Sequence, residues 1–382
     1  MSLTPGGMRD GRDNVLKLMN ILGNPQDTLR VFHVTGSNGK GSICQMISQV
    51  LWKEFGKKVG LFTSPHFIKI NERFQINGIQ ISDERLEILY EKVIGLAKQY
   101  SIPLSFFEIQ VVVMVLYFQE EKVDYTVVEV GLGWTYDGTN IFTKPLACFI
   151  TSITLEHTHV LWKSRQTILK NKLGILKKTS HLYSPLRHSL IEKTCKKIWA
   201  HSHYIKTPST VLTNLSWKHQ QRNAQMVLEA LMYIGFPAKK ILEGLHNIYN
   251  PGRFEWLAPN ILVDTANNKE NIKILENMVQ KVCGKKKIIT LFWTTQTDAL
   301  YAAELAQTIQ ADQRILVDDF CDRSLPCSAY ADNIDHKEII HFFQEPEKIK
   351  KWLSDNKNTI VIYGSFYLIG EIMRVSRYKP FA

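Results

Sequence analysis

Short apolar runs alternate with segments of helical spacing along nearly the whole chain. Residues 30–35 read as a buried strand, followed by a glycine-rich turn and a helix over 42–55. A second short strand covers 58–62. Ser82 stands as an N-cap, with Asp83 and Glu84 in the first turn of a helix that runs to about Gln99. An apolar helix over 107–119, strands at 125–130 and 147–151, and a helix over 164–176 continue the series. From 178 to 216 the pattern weakens and no element is predicted. The next helix, 221–235, is amphipathic, with Ala224, Val227, Leu228 and Leu231 on one face. A shorter helix over 238–248 ends at Asn250-Pro251-Gly252, the strongest break in the chain. A second series follows, with strands at 261–264, 287–292, 315–318 and 359–363. Its helices fall at 269–282, 299–310, 345–353 and 365–376.

This alternation predicts an α/β protein in two domains. Residues 1–250 form a phosphate-loop ATP-binding domain on a mainly parallel sheet with helices on both faces. Residues 251–382 form a smaller Rossmann-like α/β domain. The length, 382 residues, exceeds what one core holds and agrees with that division.

Composition narrows the class. Hydrophobic residues are 45% and charged residues 22%, the balance of a globular chain. No apolar run reaches the roughly 18 residues of a membrane-spanning helix. Met1–Gly7 carries no apolar signal segment, so the expectation is a cytoplasmic protein with a flexible start. Cys44, Cys148, Cys195, Cys283, Cys321 and Cys327 show no CxxC or zinc-finger spacing and read as free thiols. The net charge of +11 comes from scattered lysines, not from one stripe interleaved with aromatics. That distribution argues against a nucleic-acid partner and suits ATP and an acidic small molecule.

The sharpest chemical signal is Gly36-Ser37-Asn38-Gly39-Lys40-Gly41-Ser42, which leaves a strand and opens a helix. Glycines let successive N–H groups turn toward phosphate oxygens, the helix N-terminus adds a favourable dipole, and Lys40 supplies a cation for the β- and γ-phosphates. Ser42 can bond a phosphate. Val34 occupies the first-glycine place of the general GxxxxGK[ST] form, so this is the shorter GxxGKGS variant.

The loop does not stand alone. Leu22-Gly23-Asn24-Pro25-Gln26 precedes it. Thr63-Ser64-Pro65-His66 and Asn71-Glu72-Arg73-Phe74 follow, then Glu129-Val130-Gly131-Leu132-Gly133 and Asp137-Gly138-Thr139-Asn140. Thr151-Ser152-Ile153, Glu156-His157-Thr158 and Lys172-Leu173-Gly174 come next. After the break stand Pro251-Gly252-Arg253, Asp264-Thr265-Ala266-Asn267 and Gly364-Ser365-Phe366. In this order, over residues 22–371, the chain resembles the folylpolyglutamate synthase/dihydrofolate synthase family of Mur-type ligases.

The resemblance implies an ATP-dependent amide ligation. ATP phosphorylates a carboxylate of folate or dihydropteroate, and the amine of glutamate attacks the acyl phosphate. It implies catalytic roles for Lys40, Glu129, His157 and Lys172, with ATP contacts from the loop, Arg253 and Asp264. Ser64, Glu129 and His157 would hold Mg²⁺, and Lys172 would carry a CO₂-derived carbamate. Thr63, Pro65, His66 and Arg73 would belong to a substrate-covering loop. The family pattern also implies a monomer whose partners are small molecules, with no nucleic acid and no membrane.

Several positions depart from that pattern. Trp134-Thr135 replaces Gly-Arg, Glu156 replaces Asp, Asn267 replaces His, and residues 292–298 lack the family's Lys-Asp pair. These departures leave open a Mur-type ligase for a different acid, or an ATP-binding homologue that has lost ligation. The family pattern also leaves dihydrofolate synthesis and polyglutamylation unseparated.

Overall fold

The computed structural model describes residues 11–131, 135–154, 164–215, 217–284, 286–296, 298–318, 325–335, 337–340 and 346–376. The chain divides into two compact units, one of Met1–Ser64 with Ile70–Tyr249 and one of Pro65–Lys69 with Asn250–Ala382.

The first unit is built on eight strands: β1 (Val31–Thr35), β2 (Val59–Phe62), β3 (Phe74–Ile76), β4 (Ile79–Gln80), β5 (Tyr125–Glu129), β6 (Ala147–Ile150), β7 (His181–Ser184) and β8 (His201–Tyr204). Their spatial order is β4-β3-β2-β5-β1-β6-β7-β8. All neighbours from β2 to β8 run parallel, while β3 and β4 pair antiparallel at the edge. The helices are α1 (Gly11–Ile21), α2 (Lys40–Phe55), α3 (Asp83–Gln99), α4 (Phe106–Glu120), α5 (Arg165–Lys172), α6 (Ser189–Ile198), α7 (Lys218–Ile234) and α8 (Ala238–Leu245).

Strand alternation distributes the core. Phe32 and Val34 pack with Ile47 of α2, Val227 of α7 and Ile241 of α8. Val31 points the other way, among Leu18 of α1, Leu89 of α3 and Val113 of α4. Caps fix the helix starts: Ser82 accepts from the N–H of Arg85, and Ser105 with Glu108 forms a reciprocal capping box.

The second unit has strands β9 (Glu255–Ala258), β10 (Ile261–Val263), β11 (Ile288–Phe292), β12 (Gln313–Val317), β13 (Lys337–Ile340) and β14 (Thr359–Tyr363), in the order β13-β12-β11-β14-β10-β9. Only β9 is antiparallel. Helices α9 (Lys269–Cys283), α10 (Ala299–Gln307), α11 (Pro346–Asp355) and α12 (Phe366–Val375) complete it. Leu262 and Val361 face one apolar layer with Ile272 and Leu305, and Val263 and Ile362 face the other with Ile369.

The structure corrects the sequence reading in four places. The stretch from 178 to 216 is not empty: it holds β7, α6 and β8. The sequence of β8, His-Ser-His-Tyr, has no apolar alternation because it is an edge strand with mostly exposed side chains. The helix expected over 164–176 ends at Lys172 and tightens into a 3-10 turn over Leu173–Ile175. The hairpin β3–β4 was not expected, although Asn77 (φ 52°) and Gly78 (φ 80°) are the Asn-Gly pair that a two-residue hairpin turn demands. Finally, α1, β9 and β13 lie where no element was predicted.

Candidate active site

Four neighbouring parallel strands of the first unit, β2, β5, β1 and β6, end at the same edge of the sheet. Val34 of β1 lies beside Glu129 of β5, Thr35 beside Ile150 of β6, and Phe62 of β2 beside Val128. The residues just past those ends are therefore neighbours, although they come from 35–42, 63–64, 129–131 and 151–154. In open α/β sheets this carboxyl edge is where ligands bind.

The glycine-rich loop is held there by the segment after β6. Gly36 has φ +145°, and a Cβ on it would lie 1.8 Å from Thr151 Oγ1. The N–H of Ser37 donates to Ser152 O (2.9 Å), and Ser37 Oγ accepts from the N–H of Thr154 (3.0 Å). Asn38 N–H donates to Ser152 Oγ (2.9 Å), while Asn38 O accepts from Thr151 Oγ1 (2.6 Å). Gly39, at φ +89°, is the N-cap of α2. Lys40 Nζ folds back over the loop and donates to the carbonyls of Gly36 (3.1 Å) and Ser37 (3.2 Å). Ser42 is buried in the first turn of α2, where the helix leaves N–H groups without intrahelical partners.

Glu129 is 5% exposed, at the end of β5. Its Oε2 accepts from the N–H of Ser64 (3.2 Å) and lies 3.8 Å from where Gly41 would carry a Cβ. Burial pushes the nearby Cys44 thiol up, the Glu129 charge adds to that, and Lys40 opposes both. Thr63 N–H donates to Arg73 O (3.3 Å), and the Arg73 guanidinium donates to Gln110 Oε1 (2.8 Å).

Lys172 closes α5 and is buried, 4% exposed. The turn after it is stapled to 135–140. Asn140 Nδ2 donates to Thr135 O and Gly174 O, both at 3.0 Å, and its Oδ1 accepts from Lys177 Nζ (2.8 Å). Thr135 Oγ1 donates to Asn171 O (3.3 Å) and would meet a Gly174 Cβ at 2.3 Å. His157, Glu156 and Trp134 lie outside the described residues.

The remaining predicted residues belong to the second unit. Pro65 and His66 fall in its segment Pro65–Lys69. Within the same unit, Phe67 packs tilted against Phe366 (5.2 Å between centroids), and the Arg253 guanidinium lies 5.3 Å from that ring. Asp264 accepts from the N–H groups of Phe254 and Ala266, each at 2.8 Å, and so ties the Pro251-Gly252 turn to the end of β10. Burial pushes its carboxyl up, while Arg253 and those two amides pull it down.

The loop lies inside the segment that the Mur ligase middle domain matches, residues 34–250. That is more than half of the chain. It belongs to the Mur-type ligases, in the folylpolyglutamate synthase/dihydrofolate synthase family. The dihydrofolate synthase/folylpolyglutamate synthase of Bacillus subtilis is 28% identical over 417 residues, covering 96% of this chain and 95% of that one. The fold matches a Yersinia pestis bifunctional synthase complexed with AMPPNP and Mn ion. The TM-score is 0.85 at 21% identity, over 99% of this chain and 95% of that one. It also matches E. coli FolC in complex with DHPP and ADP, with TM-score 0.85 at 20% identity over 98% and 95%.

For a Mur-type ligase the donor set at this edge is informative. The described residues hold no cluster of three His, Cys, Asp or Glu side chains able to cage a metal. What they offer is one carboxylate, Glu129, beside Ser64. A sparse all-oxygen set suits a Mg²⁺-like ion, which keeps several waters and takes substrate phosphates as ligands. Among the described residues, Glu129 and Ser64 fit such an ion.

Sequence reasoning missed two side chains that touch the loop, Gln220 and Asn223 of α7. Gln220 Nε2 donates to Ser42 Oγ (3.1 Å), and a Gly39 Cβ would lie 3.1 Å from Asn223 Nδ2. Their sequence signal is spacing: Gln220 and Asn223 fall at i, i+3 on the same helical stripe as Ala224 and Val227. Thr151 and Ser152 stood in a recognised block, but their role as loop buttress needed the fold.

Proposed function

We propose that this chain is an ATP-dependent ligase that joins a carboxylate of folate or dihydropteroate to the amino group of L-glutamate. The γ-phosphoryl group of ATP passes to a carboxylate oxygen, giving an acyl phosphate and ADP. The neutral amine then attacks the acyl carbon, phosphate leaves, and the amine gives up its proton as the amide forms. The observation that carries this reading is the meeting of the phosphate loop, Glu129 and Ser64 at one sheet edge, in a chain matched end to end by a dihydrofolate synthase/folylpolyglutamate synthase.

In this reading the N–H groups of residues 36–42 and the Lys40 ammonium cradle the nucleotide phosphates. Lys40 must exchange its bonds to the Gly36 and Ser37 carbonyls for phosphate oxygens, which it can do without moving its backbone. Glu129 and Ser64, with His157, would hold Mg²⁺, which screens the charge of the phosphates when bound. Lys172, buried at the end of α5, would carry the CO₂-derived carbamate that the family resemblance implies. Arg253 and Asp264 would supply further ATP contacts. Thr63, Pro65, His66 and Arg73 would line the acid substrate. The similar proteins solved with AMPPNP and Mn ion and with DHPP and ADP support the same ligand classes here. The described residues include no helix long and apolar enough to cross a membrane. A cytoplasmic monomer, with no nucleic-acid partner, completes the proposal.

A second reading, a Mur-type ligase for a different acid, draws on Thr135. Its short side chain bonds the Asn171 carbonyl and packs on Gly174, where the family pattern places an arginine. One assay separates the two: ADP release with Mg-ATP, glutamate and either dihydropteroate or reduced folate. Turnover that needs glutamate and one pterin, and falls by at least about 100-fold in Lys40→Ala and Glu129→Ala, supports the folate ligase. ADP binding without turnover on either pterin rejects it in favour of another acid or of a nucleotide-binding homologue that has lost ligation.

A further inference from the structure

Lys172 stands between two carbonyls that one loop holds. Before it, Asn171 O accepts from Thr135 Oγ1 (3.3 Å); after it, Gly174 O accepts from Asn140 Nδ2 (3.0 Å). Both carbonyls lie where α5 ends, and the last carbonyls of a helix lack the partners that a further turn would supply. The two segments meet closely, since a Cβ on Gly174 would lie 2.3 Å from Thr135 Oγ1 and 3.0 Å from Thr135 Cα.

The polarity of this clamp is set by its partners. Asn140, 2% exposed, also donates from Nδ2 to Thr135 O (3.0 Å), and its Oδ1 accepts from Lys177 Nζ (2.8 Å). Carbonyl oxygens only accept, so the two of them fix the donor end of the amide. The loop is in turn tied to β1, because Thr139 Oγ1 lies 3.1 Å from His33 Nε2. β1 runs on into the phosphate loop at Gly36. One strand therefore carries the phosphate loop and, through Thr139 and Asn140, the turn that follows Lys172.

Small errors of backbone direction matter for a long side chain. A lysine nitrogen stands about 6 Å from its Cα, so a tilt of about 10° in the Cα–Cβ bond moves it by about 1 Å. A displacement of that size at a reacting group costs about 100-fold in rate. We propose that Asn140 and Thr135 are positioning residues: they clamp the chain on both sides of Lys172 and so register its side chain to the phosphate loop. The proposal rests on the reading of Lys172 as part of the ligase site. It gives a role to the Asp137–Asn140 block and to Thr135, which stands where the family pattern has an arginine.

The test breaks the clamp with little change of shape. Asn140→Asp leaves an acceptor for Lys177 but turns a second acceptor toward the carbonyls of Thr135 and Gly174. Thr135→Val removes the hydroxyl and keeps the volume. Brief lysine labelling with acetic anhydride on the full chain, read by peptide mass spectrometry, reports how Lys172 is held, with Lys170 of the same helix as the internal reference. ADP affinity by calorimetry, and ADP release with Mg-ATP, glutamate and each pterin, are measured beside it. Labelling of Lys172 should be at least about tenfold faster in Asn140→Asp and about threefold faster in Thr135→Val, with Lys170 and ADP affinity within about twofold of wild type. Turnover should fall by about 100-fold in Asn140→Asp and by about tenfold in Thr135→Val. Unchanged labelling of Lys172 overturns the proposal. So does equal acceleration at Lys170 and Lys172, or weakened ADP binding, since either marks a general loss of structure. Faster labelling with wild-type turnover overturns it as well, because the registration would then not serve the reaction. Absence of turnover in the wild-type chain rejects the ligase reading instead, and the labelling ratio alone then decides the clamp. If Asn140→Asp does not fold, Thr135→Val carries the test.

Discussion

Replacing Gly36 with alanine adds a single methyl group, yet the structure assigns it a large effect. Gly36 sits at φ +145°, and the new Cβ would lie 1.8 Å from Thr151 Oγ1, 2.9 Å from Thr151 Cβ and 3.0 Å from Thr151 N. Rotating the threonine relieves only the first contact, because the other two atoms belong to its Cβ and backbone. The positive φ costs an L-residue about 1–2 kcal/mol, and overpacking adds about 1–3 kcal/mol. Together these remove about 2–5 kcal/mol from the first unit. For a unit of this size that corresponds to a melting transition lower by roughly 4–20 °C. Gly95 is the matched control: it lies in α3 with nothing within 4 Å of an added Cβ. There the same substitution should stabilise by about 0.5–1 kcal/mol through helix propensity. Urea unfolding of both variants, with ADP titration of each, measures the contrast. Gly36→Ala should also lose ADP affinity, since the chain that must shift carries the phosphate-facing N–H groups. Equal unfolding midpoints for the two alanine variants would refute the reasoning, as would wild-type ADP affinity in Gly36→Ala.

Two further outcomes follow from polar groups. His33 is 1% exposed on β1, with its Nε2 3.1 Å from Thr139 Oγ1, and burial, with Lys177 adding to it, lowers its pKa to about 3. The folded chain keeps this imidazole neutral while the unfolded chain protonates near pH 6.5, so its contribution is complete above pH 6.5 and is lost as pH falls toward 3. At pH 5 the loss is about 2 kcal/mol. Urea midpoints at pH 7.5 and pH 5 should therefore fall less in His33→Gln than in wild type; an identical decrease would discount His33. Ser105→Ala removes one half of the capping box at the start of α4 and should cost about 1 kcal/mol of stability, read from the same unfolding curves, with ADP affinity unchanged.

Much of this protein was legible from local chemistry. The loop from Gly36 to Ser42 needs glycine at positive φ and a lysine at a helix start, and both requirements are written in adjacent residues. Ser82 marks a helix start for the same reason: a cap acts within three residues of itself. The buried strands β1, β5 and β14 are apolar runs of the right length, so their burial could be read before their neighbours were known. The polar strand β8 could not, because an edge strand with exposed side chains leaves no period-2 apolar signal.

The candidate site divides along the same line. The order and chemistry of Lys40, Ser64, Glu129 and Lys172 were set by the chain alone, as was the break at Pro251-Gly252. Only the tertiary structure decided that Glu129 meets the N–H of Ser64, that Thr151 and Ser152 hold the loop, and that Gln220 reaches Ser42. It also decided that Pro65 and His66 belong to the second unit while Thr63 and Ser64 belong to the first. The physical reason is that local rules act over a few residues, whereas these contacts are made by strand order. Parallel pairing in the order β2-β5-β1-β6 gathers four distant chain segments at one sheet edge, and no periodicity along the chain records which strand lies beside which.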